Sequence, residues 1–137
     1  MTEKAARVEA SAVPTKKLLI ACILAYLLPG AGHLVLGKKW RAAIFSCSIF
    51  AMFILGLLMK GRLFFPTSGD ITSFFLSFAD AGVGSAYFIC LIFDIGFDSL
   101  RAAAATFEYG NAFLWTAGLL NMLVIMDAYD IAIGRKN

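Results

Sequence analysis

Charge is what this chain of 137 residues has least of: Asp, Glu, Lys and Arg make up 15% of it, against 61% hydrophobic residues and a mean hydropathy of +0.82. An ordinary soluble domain is about 25% charged and about 45–50% apolar. One soluble core of this size cannot hide so much apolar surface, so lipid must cover part of it, and the chain reads as an integral membrane protein of one domain. Nucleic-acid binding is excluded for the same reason, because no solvated basic face exists. Histidine is nearly missing, with His33 alone. The three cysteines, Cys22, Cys47 and Cys90, stand singly in apolar stretches with no CxxC pair. That excludes a structural zinc site or a redox motif, and the cysteines read as small packing residues.

What charge there is collects at segment ends: Lys16-Lys17, Lys38-Lys39 with Arg41, Lys60 with Arg62, and Arg135-Lys136. Cations at the headgroups with hydrocarbon between them are the pattern of a bilayer protein. Residues 1–17 are polar and lack apolar periodicity, so they read as a soluble, mobile tail, and 18–137 as one helical membrane domain. The run after Lys17 resembles a signal peptide, but only four apolar residues precede Cys22, against the ~7–15 of an h-region. It is expected to be retained in the membrane.

Two spans stand out. Residues 42–59 are 18 uncharged residues between Arg41 and Lys60, with Ala43, Cys47 and Ala51 forming a narrow smooth face suited to close helix contact in lipid. Residues 109–126 also lack charge, and the segment runs on to the Arg135-Lys136 anchor. Asn121 lies inside it with Gly118 a turn earlier, a polar, close-packed patch of the kind that joins helices. Asp127 and Asp130 fall on one face of its last turns.

The other two membrane segments are broken. Reading 71–93 as a span puts Asp80 near its centre, at a cost of roughly 2.5–3.5 kcal/mol on insertion scales. Residues 81–93 alone are too short to cross. A re-entrant or interfacial pair of helices hinged at Gly82-Val83-Gly84 avoids both penalties if protein covers the broken backbone. In "LLPGAGHLVLGKKW" Pro29, Gly30 and Gly32 rule out a straight helix through 18–36, and Gly37 follows before the basic cluster. This stretch is either a kinked span or a hairpin that dips into the bilayer and returns. Both readings put the termini in the cytoplasm, with eight or nine of the 12 Lys and Arg on that side. The hairpin also brings Lys38, Lys39 and Arg41 to the side of Asp127 and Asp130, where one of them is expected to pair with those carboxylates.

"LLPGAGHLVLGKKWRAAIF" resembles the Gly-x-Gly-His-x-x-Leu-Gly signature of a widespread two-transmembrane-helix domain. Together with "EYGNAFLWTAGLLNMLVIMDAYDIAIGRK" it is similar to a narrower family of small bacterial membrane proteins of unassigned function. The resemblance covers about residues 18–62 and 108–136, and it departs at Val35, where the broader domain often has Tyr. It implies an architecture and a bacterial cytoplasmic membrane, and no reaction.

Sharper chemistry has to be weighed against that background. His33 as an axial ligand to haem or chlorophyll lacks a second histidine, so a structural role, satisfying backbone freed by the Pro/Gly break, is favoured. "AYDIA" resembles the Tyr-Asp half of intramembrane aspartyl proteases, yet the partner Gly-x-Gly-Asp motif is absent. Asp80, Asp94, Asp98 and Glu108 could line an ion path, though only Asp80 lies deep, and two firm spans enclose no pore without further copies. The expectation is therefore an all-α polytopic membrane protein with two firm transmembrane helices and two broken segments. It binds no cofactor or metal, and serves as a non-catalytic accessory or scaffolding subunit packed against lipid and other membrane subunits or itself. An oligomeric ion or proton channel using Asp80 comes second, and an intramembrane enzyme built on Asp127 and Asp130 third.

Overall fold

A computed structural model of the protein describes residues 13–136, so the polar segment 1–12 lies outside the described residues. Among these the fold is six α-helices and one 3-10 turn, with no strand. They are α1 (Thr15–Leu27), α2 (Ala31–Val35), α3 (Lys39–Leu58), α4 (Ile71–Ala81), α5 (Ser85–Ile92) and α6 (Phe107–Ala132), with the 3-10 turn at Ser99–Ala103 between the last two. Helix starts at Thr15, two residues before the expected end of the tail, because Pro14 supplies an N-terminal boundary that needs no N–H.

The axis of the fold is the pair α3 and α6. With 20 and 26 residues they extend about 30 and 39 Å at 1.5 Å per residue, and both are long and apolar enough to cross a membrane. They run antiparallel: Arg41 at the start of α3 lies beside Asp127 near the end of α6, while Gly56 near the end of α3 meets Gly110 near the start of α6. Small residues set their spacing. A Cβ on Gly56 would lie 2.7 Å from Leu114 Cγ and 2.9 Å from the Gly110 carbonyl oxygen, so the helices meet backbone to backbone there. The buried face of α3 is Ala42, Ile49, Phe53 and Gly56. The smooth strip Ala43, Cys47 and Ala51 points outward instead, one residue off the packed face in register.

Two hairpins fill the rest. The first settles the choice left open at PGAGH. Val13 N–H bonds the Ala132 carbonyl at 2.8 Å, so α1 starts beside the end of α6. It rises about 20 Å to the break at 28–30 and turns through Gly30 at φ 83. It returns as α2, and α3 then begins at the same end of the bundle. The segment is therefore a hairpin that begins and ends at one end of the bundle, and not a kinked rod running its length.

The second hairpin repeats the plan from the opposite end. Asp70 caps α4 through Thr72 N–H, α4 and α5 are bent by 114° at the Gly82–Gly84 break, and Gly84 turns at φ 78. α5 heads back until Gly96 accepts from Leu63 N–H at 2.8 Å near the end of α3. Each half of the chain is thus a short helix, a break at a left-handed glycine, a shorter returning helix and a long helix, and the halves run in opposite directions. The tips meet in mid-bundle: Ser85 Oγ donates to the Leu27 carbonyl at 2.6 Å, and Gly84 lies against the Tyr26 carbonyl.

Candidate functional site

Of the residues singled out from the sequence, His33, Arg41, Asp127 and Asp130 gather at the end where both α1 and α3 begin. His33 is fully buried, and its Nε2 lies 3.0 Å from Asp127 Oδ2. Lys136 Nζ donates to Asp127 Oδ1 at 2.8 Å, and Arg41 stands 3.9 Å from the same carboxylate. Asp130 pairs with Arg135 at 3.7 Å. The geometry follows from local rules. Gly134 at φ 77 ends α6 by a Schellman turn, with Arg135 N–H on the Asp130 carbonyl at 2.9 Å, and this folds the two terminal cations back over the acids. Gly37 ends α2 in the same way at φ 78 and turns the chain into α3. The carboxylate beside it holds the Lys136 ammonium above the usual lysine range.

One expectation is refined here and one is corrected. Of the three basic residues named for this role Arg41 pairs with Asp127, at 3.9 Å, while Lys38 and Lys39 form no ion pair with either acid among the described residues; the closer partners of Asp127 are His33 and Lys136. Lys39, on the first turn of α3, is exposed. His33 does not satisfy freed backbone; that role falls to Ser46, whose Oγ donates to the Pro29 carbonyl at 2.5 Å. Gly30 and Gly32 are instead the places where backbone approaches closely. A Cβ on Gly30 would lie 2.6 Å from the Ala42 carbonyl oxygen, and one on Gly32 would lie 2.5 Å from that of Ala21. His33 thus clamps the first hairpin to α6, and a T-shaped contact with Phe45 at 5.0 Å fixes its ring.

The mid-bundle polar residues have a common occupation, which is to bond irregular backbone. Asn121 is fully buried and donates from Nδ2 to the Gly82 carbonyl at 2.8 Å, so the patch it forms with Gly118 joins α6 to this chain's own second hairpin. Gly118 sits directly against the Ala79 carbonyl. Asp80, also fully buried, accepts from Phe64 N–H at 2.9 Å, and Tyr87 Oη donates to the Phe64 carbonyl at 2.7 Å. Asn111 accepts from Arg62 N–H at 2.7 Å. The non-helical strap 61–66 is therefore held group by group, as buried backbone without water requires. The sequence reading missed Asn111, Tyr87 and Ser46, since nothing local distinguishes them from ordinary residues of apolar helices. Asp94 and Asp98 are exposed: Asp94 takes the left-handed position after α5, and Asp98 caps Leu100 N–H at 2.9 Å. His33 Nδ1, Asp80 Oδ1 and Asn121 Oδ1 are buried with no hydrogen-bond partner among the described residues.

The bond to Phe64 predicts how Asp80 variants behave. Asp80→Asn keeps an acceptor oxygen and leaves folding stability within about 1 kcal/mol, whereas Asp80→Leu strands the buried amide and loses about 1–3 kcal/mol in detergent unfolding titrations.

Chemically, the terminal cluster offers a His–Asp contact with no nucleophile hydrogen-bonded to the imidazole among the described residues. Asp127 and Asp130 each have their own cationic partner, Lys136 and Arg135, whereas two acids sharing a proton must face one another. No group of three or more His, Cys, Asp or Glu able to hold a metal occurs among the described residues. No curated protein and no solved structure matches the chain. A family model does match, over residues 20–137, which takes in both hairpins and both long helices. The chain belongs to that family, DUF6677, a family of unknown function.

Proposed function

We propose that the protein is a non-catalytic integral component of a bacterial cytoplasmic membrane, with both termini in the cytoplasm, acting as an accessory or scaffolding subunit that packs against other membrane components. One observation carries this reading: the polar side chains at mid-bundle depth are engaged by the chain's own broken backbone, through Asn121 on Gly82, Asp80 on Phe64 and Ser85 on Leu27. Outward-facing surface is apolar and broad, including Ile54, Phe74, Phe88 and Leu123, each more than two-fifths exposed. A protein built this way presents contact surface rather than chemistry.

The test is co-purification from native membranes in mild detergent. The expected result is a larger membrane partner retained at fixed stoichiometry. A homo-oligomer alone, with no partner, contradicts it. The unpaired Oδ1 of Asp80 favours one second reading, a proton path through an assembly of several copies. Proton flux into liposomes separates the two: the scaffold gives none above background, while a path gives flux that Asp80→Asn abolishes.

A further inference from the structure

The end of the bundle opposite the His33–Asp127 cluster carries a cavity of about 470 Å³. It lies between the strap and the start of α4, and among its lining residues are Arg62, Thr67, Asp70 and Thr72. Arg62 is held there by its backbone, through Asn111, while its guanidinium lies 5.5 Å over the Phe64 ring. Its Nε is buried without a hydrogen-bond partner. Asp70 uses Oδ1 to cap Thr72. Neither residue forms an ion pair among the described residues. One cavity thus holds an unpaired cation and an unpaired anion that do not neutralise each other.

Phe65 forms the rim between this cavity and a second, apolar hollow of about 230 Å³ between α4 and α5. Phe74, Phe78 and Phe88 line that hollow, with Ala81 toward the hairpin tip, and Phe65, Phe74 and Phe78 are each more than half exposed. A dipolar pocket at the end of the bundle therefore continues into an apolar groove that runs toward its middle. Guanidinium recognises a phosphodiester through directed N–H donors. A carboxylate recognises a primary ammonium through N–H bonds that a quaternary ammonium cannot give.

We propose that the cavity and groove bind one phospholipid with a phosphoethanolamine headgroup, its phosphate on Arg62, its ammonium on Asp70 and one acyl chain along the groove. Native mass spectrometry of the whole protein tests this, with chain-matched phosphatidylethanolamine, phosphatidylcholine and phosphatidylglycerol offered in equal amounts. The ethanolamine lipid is expected to be retained about tenfold over the other two. Asp70→Asn keeps the helix cap, since Asn and Asp cap equally well, and should bring ethanolamine down to the choline level. Arg62→Gln keeps the backbone bond to Asn111 and should lower retention of all three. Glycerophosphoethanolamine, which has no acyl chain, should not be retained. Equal retention of the three lipids by the wild-type protein overturns the proposal, as does an unchanged ethanolamine preference in a folded Asp70→Asn variant. Retention of glycerophosphoethanolamine as strong as that of the lipid removes the groove from it.

Discussion

Gly118→Ala lowers the unfolding free energy by about 3 kcal/mol, at the upper end of what overpacking costs. The added methyl group would fall on the Ala79 carbonyl, and neither can give way by a rotamer change, since the carbonyl is backbone and an alanine Cβ is fixed by its own backbone. The contact also sits beside the Asn121 bond to Gly82, so separating α4 from α6 lengthens that buried bond too. Gly37→Ala is the comparison. Gly37 has nothing within 4 Å, and its only demand is φ 78, so the loss there is about 1 kcal/mol. Unfolding by SDS in mixed micelles, followed by helical circular dichroism, ranks the two variants. Equal losses at both positions contradict the close contact at Gly118.

Asp127→Ala removes about 2–3 kcal/mol, because it takes the shared acceptor from a buried imidazole and from Lys136 at once. Lys136→Ala alone loses far less than Asp127→Ala does, since that ammonium is solvent-exposed and its pair is screened. The test of mechanism is a double-mutant cycle between His33→Ala and Asp127→Ala, which should give a coupling of about 1–2 kcal/mol. Additive losses would mean that His33 acts through packing against Phe45 and not through the carboxylate.

How far the sequence disclosed this fold depends on the scale at which each feature is written. Uncharged runs of spanning length are local, and 42–59 and 109–126 map onto α3 and α6 with their ends moved by a few residues. The breaks are local too, because Pro29, Gly30 and the Gly82–Gly84 stretch interrupt helix wherever they occur. Which end each hairpin returns to is not local. It is decided by contacts such as Val13 to Ala132 and Leu63 to Gly96, between residues far apart in the chain. The opposed plan of the two halves leaves only a faint trace: both breaks carry a Gly-x-Gly, but the left-handed residue is the first glycine in one and the last in the other. The cluster at Asp127 was half legible. The hairpin alternative brings the basic loop to the right end, but charge counts do not choose it over a kinked span, and a lysine held by a turn beyond the helix lies closer to Asp127 than the loop's Arg41 does. The small-residue strip on α3 faces away from the chain's own core, because a four-residue repeat identifies a face without saying what lies across from it.

The central claim is that the first hairpin enters and leaves on one side. Single cysteines at Thr15, Lys39, Ser68 and Leu100, placed in a chain whose three native cysteines are replaced, test it by labelling of sealed vesicles with a membrane-impermeant maleimide. The account predicts that Thr15→Cys and Lys39→Cys label from one side, and Ser68→Cys and Leu100→Cys from the other. Thr15→Cys and Lys39→Cys labelling from opposite sides would make α1 and α2 a kinked span and contradict it.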